Sequence, residues 1–170
     1  MYYEKRQLVL TALGAMALGI VLHFLYGWMP NPVTALFGPV NESLWEHVKV
    51  LYWPHLLAAL WLTRGRPGAV HPWLLTVLLM CGAMLSVGYG YHVLLGGEAR
   101  WVDLGIYFAL MAFGFWFPTR FSGPFGKKWF VPVALTILLG LLIAVFTLWP
   151  PRGILFEDLS AVRTWLRLPV

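Results

Sequence analysis

Charged residues and cysteine are scarce in this chain of 170 residues. Only 11% of the residues are Asp, Glu, Lys or Arg, and the single cysteine, Cys81, lies inside an apolar run. One cysteine excludes an internal disulfide framework and a zinc site built from several cysteines. So little charge, together with 60% apolar residues, is typical of an integral membrane protein.

The basic residues do not indicate a nucleic-acid partner, although the formal net charge is +5. They lie at the ends of apolar stretches, where basic residues set the orientation of membrane spans, rather than together on one face. We therefore expect the lipid bilayer to be the main partner and expect no nucleic-acid binding.

Five apolar stretches are long enough to cross a membrane, because about 20 helical residues cover a hydrocarbon core of about 30 Å. The sequence predicts an all-α integral membrane protein, a five-helix transmembrane bundle that forms a single domain over residues 1–170. The predicted spans are residues 8–28, 44–62, 72–95, 103–117 and 129–149. Residues 154–168 have apolar side chains at helical spacing and predict a C-terminal amphipathic helix on the membrane surface.

The positive-inside rule predicts the orientation of these spans. With the N-terminus inside, the cytoplasmic segments hold more Lys and Arg residues than the outer ones, and most carboxylates fall outside. We therefore expect a multi-pass protein of the bacterial cytoplasmic membrane with its N-terminus inside and its C-terminus outside. A functional site is expected on the outer side.

Small residues recur every four positions in the first, third, fourth and fifth predicted spans. Ala15 and Gly19 form such a pair in the first span, and Gly82, Ser86 and Gly90 form a longer stripe in the third. Small side chains let the backbones of membrane helices approach each other. Both stripes predict close helix packing.

Residues 38–49 concentrate polar side chains in this otherwise apolar chain, with the sequence G-P-V-N-E-S-L-W-E-H-V-K. Ser43 and Glu46 have the spacing of a capping box, in which each side chain satisfies a backbone N–H at a helix start. Glu46 can also pair with Lys49, three residues later on the same helix face. Capping and pairing thus explain part of the segment but give His47 and Glu42 no role.

Three histidines fall at a similar depth near the outer side, at about 1.5 Å of rise per helical residue. They come from different spans, and a catalytic zinc-like metal takes such nitrogen ligands together with a carboxylate and a water. We predict that the metal ligands are His23, His47 and His92. The predicted catalytic bases are Glu46 and Glu42, and the supporting polar residues are Asn41, Ser43, Lys49, His55 and Asp103.

His55 follows Pro54 in the middle of the second span. It either extends a polar path inward from His47 or bonds a carbonyl that the proline leaves free. Both interpretations remain open at the level of sequence.

Residues 37–49, which contain the pattern P-V-N-E-S-x-W-E-H-x-K, resemble an uncharacterised family of small multispanning bacterial membrane proteins. The resemblance extends back to the His-Phe-Leu-Tyr sequence at residues 23–26 and covers roughly the first third of the chain. It implies a bacterial membrane protein with several spans, and it implies no activity. The His-Glu-x-x-His pattern of zinc proteases is absent from the sequence.

Three functions fit these features. The first is a metal-dependent membrane hydrolase that acts on a lipid or an amide at the outer side. The second is a transporter or channel-like protein in which the same residues handle protons or ions. The third is a haem-binding membrane protein with paired histidines. An odd number of spans argues against an inverted-repeat transporter monomer, an objection that a homo-oligomer would remove.

Overall fold

A computed structural model describes residues 3–160, and the regular structure in that range is helical. The α-helices are α1 (Lys5–Trp28), α2 (Pro32–Phe37), α3 (Leu44–Leu62), α4 (His71–Gly88), α5 (Arg100–Trp116) and α6 (Phe130–Leu148). A π-helical segment, Tyr89–Leu94, continues α4. Short 3-10 helices occupy Pro67–Val70, Phe117–Arg120, Lys127–Trp129 and Ile154–Phe156.

In the part of the chain that the structure describes, four helical segments are long and apolar enough to cross a membrane, which is the pattern of a multi-pass membrane protein. They are Lys5–Trp28, Gly68–Leu94, Arg100–Arg120 and Lys127–Leu148. The third of these is longer than the predicted span 103–117, because a 3-10 helix continues α5. α3 is not among the four, because its glutamate, lysine and two histidines lower its mean hydropathy.

The end of the described chain differs from the prediction of a surface helix over residues 154–168. Ile154–Phe156 is a single 3-10 turn, and residues 157–160 are not helical. The ring of Phe156 packs against the rings of Trp45 and Phe146, at centroid distances of 5.4 Å each. This turn therefore folds back onto α3 and α6. Residues 161–168 of the predicted helix lie outside the described residues.

α3 is the most enclosed of the long helices. The four residues of one complete turn, Val48 to Leu51, are each at most 5% exposed, so the helix is covered on every side there. Helices α1, α4 and α5 pack around it. The outward faces of α1 and α6 instead expose apolar side chains such as Leu13 and Leu141, which suits contact with lipid. The polar residues of α3 are thus separated from lipid by the neighbouring helices.

Gly19 marks the closest approach of α1 to its neighbours. A Cβ atom at Gly19 would meet the hydroxyl of Tyr107 and would lie 2.7 Å from the carbonyl oxygen of Val50. The Tyr107 hydroxyl donates a hydrogen bond to the carbonyl of Met16 (2.8 Å). The predicted small pair of the first span therefore lies in a helix contact. In the third span, Gly82 is exposed and has nothing near it.

The segment between α1 and α3 folds over one end of the bundle. The Asn31 side chain caps α2 by accepting hydrogen bonds from the next backbone N–H groups. Trp53 of α3 donates its indole N–H to the carbonyl of Leu36 (2.9 Å). Gly38 passes so close to the carbonyl of Leu22 that a side chain would collide with it. The chain that follows α2 is therefore held where α1 ends and α3 begins.

Candidate functional site

α3 starts at a half-formed capping box. The Ser43 hydroxyl accepts a hydrogen bond from the backbone N–H of Glu46 (3.3 Å), as the spacing predicts. The backbone N–H of Ser43 donates a hydrogen bond to Asn41 Oδ1 (3.0 Å) instead of to the carboxylate of Glu46. Asn41 thus performs the second half of the cap, which leaves the Glu46 side chain for another contact.

That contact is a buried ion pair with Lys49. The Lys49 Nζ donates to Glu46 Oε2 (2.6 Å), to the carbonyl of Ala35 (2.8 Å) and, more weakly, to that of Gly38 (3.4 Å). The same carboxylate oxygen accepts the backbone N–H of Val40 (2.7 Å). Lys49 is fully buried and Glu46 is 4% exposed. The pair therefore ties α2 and the loop after it to α3.

Glu42, four residues before Glu46, lies between two imidazoles. Its carboxylate is 3.2 Å from His47 Nε2 and 3.9 Å from His23 Nε2. Ligand atoms of these three residues all lie within 4.8 Å of one another. His23 comes from the last turns of α1, Glu42 from the loop and His47 from the first turn of α3. The structure thus brings together two of the three predicted ligands and one predicted base.

This group, His23, Glu42 and His47, is partly open to its surroundings. The three side chains are 29%, 50% and 21% exposed, respectively. The two rings lie 5.4 Å apart between centroids and are tilted by 38°. Part of each side chain is therefore accessible from outside the bundle.

The orientation of His47 is set by the backbone of the cap. Its Nδ1 lies 2.8 Å from the carbonyl oxygen of Ser43. A carbonyl oxygen only accepts, so Nδ1 carries the proton and donates. The other nitrogen, Nε2, faces Glu42 and donates to its carboxylate when the ring is protonated; a metal ion at this position would replace that proton. Histidines that bind metals commonly have their second nitrogen fixed in this way, which holds the ring orientation and the tautomer.

Electrostatics keep Glu42 ionised. The hydrogen bond from His47 lowers the pKa of the Glu42 carboxyl below its ordinary value, partial burial opposes this, and the charges of His47, His23 and Arg100 lower it further. The net shift is downward. Arg100, at the start of α5, was not predicted to act on the site, because no pattern in the sequence links it to Glu42. An ionised carboxylate beside two imidazoles is a competent donor set for a divalent cation.

His92 lies outside the group of three. Its Nδ1 donates to the carbonyl of Gly97 (2.8 Å), and its Nε2 is 2.8 Å from Asp103 Oδ1. The geometry therefore joins His92 to Asp103 rather than to His23. The negative charge of Asp103 nevertheless acts on the His47 imidazole, so the two groups are neighbours at the same end of the bundle.

His55 is buried in the helical core. Its Nε2 faces the carbonyl of Trp73 on α4 at 3.3 Å, and its ring packs between those of Trp73 and Phe115. Within residues 3–160, its Nδ1 has no hydrogen-bond partner. The carbonyl that Pro54 leaves free belongs to Val50, and it is not the partner of His55. This histidine joins α3 to α4 rather than extending the site.

The family of unknown function DUF6512 matches residues 2–164, so the chain belongs to this family. The expectation of an uncharacterised family is thereby confirmed. No curated protein and no solved structure matches the chain.

Proposed function

We propose that this member of the DUF6512 family binds a zinc-like divalent metal ion through His23, Glu42 and His47 and uses it for hydrolysis. One observation carries the proposal: ligand atoms from three separate segments converge within 4.8 Å. Two imidazole nitrogens and one carboxylate oxygen are a ligand set of catalytic zinc sites. The backbone contact that orients His47 supports a ligand role rather than chance proximity.

The donor set favours a catalytic ion over a structural one. Structural zinc sites take four protein ligands, whereas catalytic sites take three and leave a position for water. A bound divalent ion lowers the pKa of that water to about 7 and so supplies a nucleophile near neutral pH. The half-exposed Glu42 leaves room for a substrate to approach the same position.

Proton transfer falls more naturally to His92 and Asp103 than to Glu46. The carboxylate of Glu46 already accepts from Lys49 and from the loop backbone, and it is almost fully buried. His92 and Asp103 form an imidazole–carboxylate pair beside the proposed metal site. We propose that this pair exchanges the proton that hydrolysis requires, and that Glu46 has a positioning role.

We further propose that α3 is a fifth membrane span. Its 19 residues extend about 28 Å, close to the hydrocarbon thickness of about 30 Å. Helices on several sides shield its polar residues, which removes the main cost of placing them in a membrane. With the N-terminus inside a bacterial cytoplasmic membrane, the site faces outward and suits a lipid or amide substrate. A reporter inserted at Arg66 should then read cytoplasmic and one at Glu98 should read outside; the reverse result would move the site to the cytoplasmic face.

Proton or ion handling is the second candidate function. It is supported by two imidazole–carboxylate contacts at one end of the bundle, His47 with Glu42 and His92 with Asp103. Such pairs can pass protons without any metal. Haem binding is less well supported, because the Glu42 carboxylate lies against both imidazoles, where the macrocycle would need space.

Metal analysis of the purified protein separates these candidates. The hydrolase proposal expects stoichiometric zinc or a similar ion in the wild type, loss of that ion in Glu42→Ala, and retention in His71→Ala. His71 is a matched control because it bonds the carbonyl of Gly68 at the opposite end of α4 from His92. An optical spectrum of the same preparation reports haem.

Protein that is folded but binds no divalent ion, even after incubation with excess zinc, would overturn the metal proposal. Proton uptake by such protein in vesicles, lost on Glu42→Ala, would support the second candidate instead.

A further inference from the structure

A long groove runs along the outside of the contact between α1 and α3. It has a volume of about 760 Å³. Apolar groups line most of its length, and the side chains of Arg6, Gln7 and Glu4 line one end. Gly14 forms part of its floor, where a Cβ atom would meet nothing within 4 Å. The groove is thus open toward the surroundings of the helices.

The groove is separate from the His23, Glu42 and His47 group. It begins on the other side of Gly19, where α1 touches α3, and it continues toward the start of α1 and the end of α3. Leu57 and Trp61 form its α3 wall and are 53% and 58% exposed. Nothing in the proposed metal chemistry uses these residues.

We propose that this groove binds one anionic phospholipid, with an acyl chain along its apolar length and the phosphate beside Arg6. The groove runs from residue 4, the N-cap of α1, to residue 18 within that helix. This is about 21 Å at 1.5 Å per residue, which exceeds the roughly 15 Å of hydrocarbon in one leaflet. An acyl chain can therefore lie along it while the headgroup stays at the membrane surface.

Charge at the polar end selects an anionic headgroup. Lys5 and Arg6 begin α1, and Arg64 follows the end of the antiparallel α3, so the basic residues gather at the same end of the bundle. Glu4 offsets only one of these charges. The four ion pairs within residues 3–160 do not include Arg6. Basic groups between helices at a membrane surface attract anionic lipid headgroups.

Trp61 supports the same position for the headgroup. Its indole lines the groove three residues before Arg64. Tryptophan is enriched at the level of lipid headgroups, where its ring is apolar and its N–H finds polar partners. The polar end of the groove therefore lies at the depth of the phosphate.

The test compares retention of phosphatidylglycerol and phosphatidylcholine by the purified full-length protein, measured by native mass spectrometry from detergent. We expect the wild type to retain phosphatidylglycerol in preference. Gly14→Phe should lower that retention about tenfold, since its ring fills the groove; this factor corresponds to about 1.4 kcal/mol. Gly82→Phe is the matched control, because Gly82 is an equally open glycine on α4 outside the groove, and it should retain lipid like the wild type.

Arg6→Gln tests the headgroup independently and does not alter helix packing, because Arg6 is exposed. It should lower phosphatidylglycerol retention to the level of phosphatidylcholine. Equal retention of the two lipids by the wild type would overturn the proposal. So would equal retention of phosphatidylglycerol by Gly14→Phe and Gly82→Phe.

Discussion

Glu42 and Glu46 belong to the same short motif, yet they lie in opposite environments. Glu46 is 4% exposed and pairs with the buried Lys49, whereas the side chain of Glu42 is 50% exposed and faces two imidazoles. A buried carboxylate that is paired with a lysine and bonded to a loop is closed off from a substrate, but it can fix that loop. An exposed carboxylate between histidines can exchange ligands. Burial, rather than residue type, thus separates the scaffold part of the motif from its reactive part.

The buried pair and Glu42 are linked by backbone contacts at Gly38 and Val40. The Glu46 carboxylate bonds the N–H of Val40, and Lys49 bonds the carbonyl of Gly38, so both hold the loop that presents Glu42. We propose that the buried pair is retained because it positions Glu42.

Lys49→Met should be the most damaging single change. It leaves the Glu46 carboxylate buried without its cation, and breaking one side of a buried ion pair costs about 3–5 kcal/mol. The free energy of unfolding in detergent measures this loss. The double variant Lys49→Met with Glu46→Gln should recover part of it, and Lys5→Met, at an exposed lysine, is the control. An unchanged stability in Lys49→Met would show that the pair is not structural.

His47→Ala and His92→Ala should differ in metal binding. His47→Ala removes a proposed ligand and should weaken zinc affinity by more than the 10–100-fold typical of a lost outer partner. His92→Ala should stay within that range, because His92 contacts Asp103 and lies outside the group of three. Zinc titration of both purified variants gives the comparison. Equal losses would restore His92 as a ligand.

Ser43→Ala should lower the free energy of unfolding by about 1 kcal/mol, the usual loss of a helix cap. Metal content should be retained, because His47 is oriented by the backbone carbonyl of Ser43 and not by its hydroxyl. Unfolding and metal analysis of one preparation report both quantities. Loss of metal with unchanged stability would mean that the two roles are reversed.

Acid should remove a smaller stabilisation that depends on Glu42. The pKa of its carboxyl is lowered in the folded state, chiefly by the hydrogen bond from His47. The corresponding stability is therefore present above the ordinary value of 4.5 and is lost as the pH falls through the lowered folded value. Without metal, the difference in melting temperature between wild type and Glu42→Gln should shrink in acid. A difference that stayed constant or grew in acid would refute the assignment.

Much of the local structure was predictable from particular residues. Ser43 predicts the start of α3, where it caps the helix. The spacing of Glu46 and Lys49 predicts their ion pair, which the structure confirms. Both are local effects within one helical turn. The common depth of His23 and His47 likewise follows from counting residues along two helices.

What sequence could not supply was the rotation of each helix about its own axis. Depth and residue type predicted His92 as a metal ligand and Glu42 as a base, but the π-helical segment directs His92 toward Asp103. Rotation also separates the two small-residue stripes, since Gly19 faces α3 and Gly82 faces outward. The loop contacts of Lys49 were equally hidden, because they depend on how α2 folds back.

X-ray absorption at the metal edge of the purified, zinc-loaded protein tests whether the proposed residues bind the ion. Two imidazole nitrogens and carboxylate or water oxygens should lie at about 2.0–2.2 Å from it. Glu42→Gln should alter this spectrum because it changes a ligand, whereas Glu46→Gln should keep the same ligands around whatever ion is bound. A spectrum without imidazole scattering, or one that changes in Glu46→Gln and not in Glu42→Gln, would contradict the proposed site.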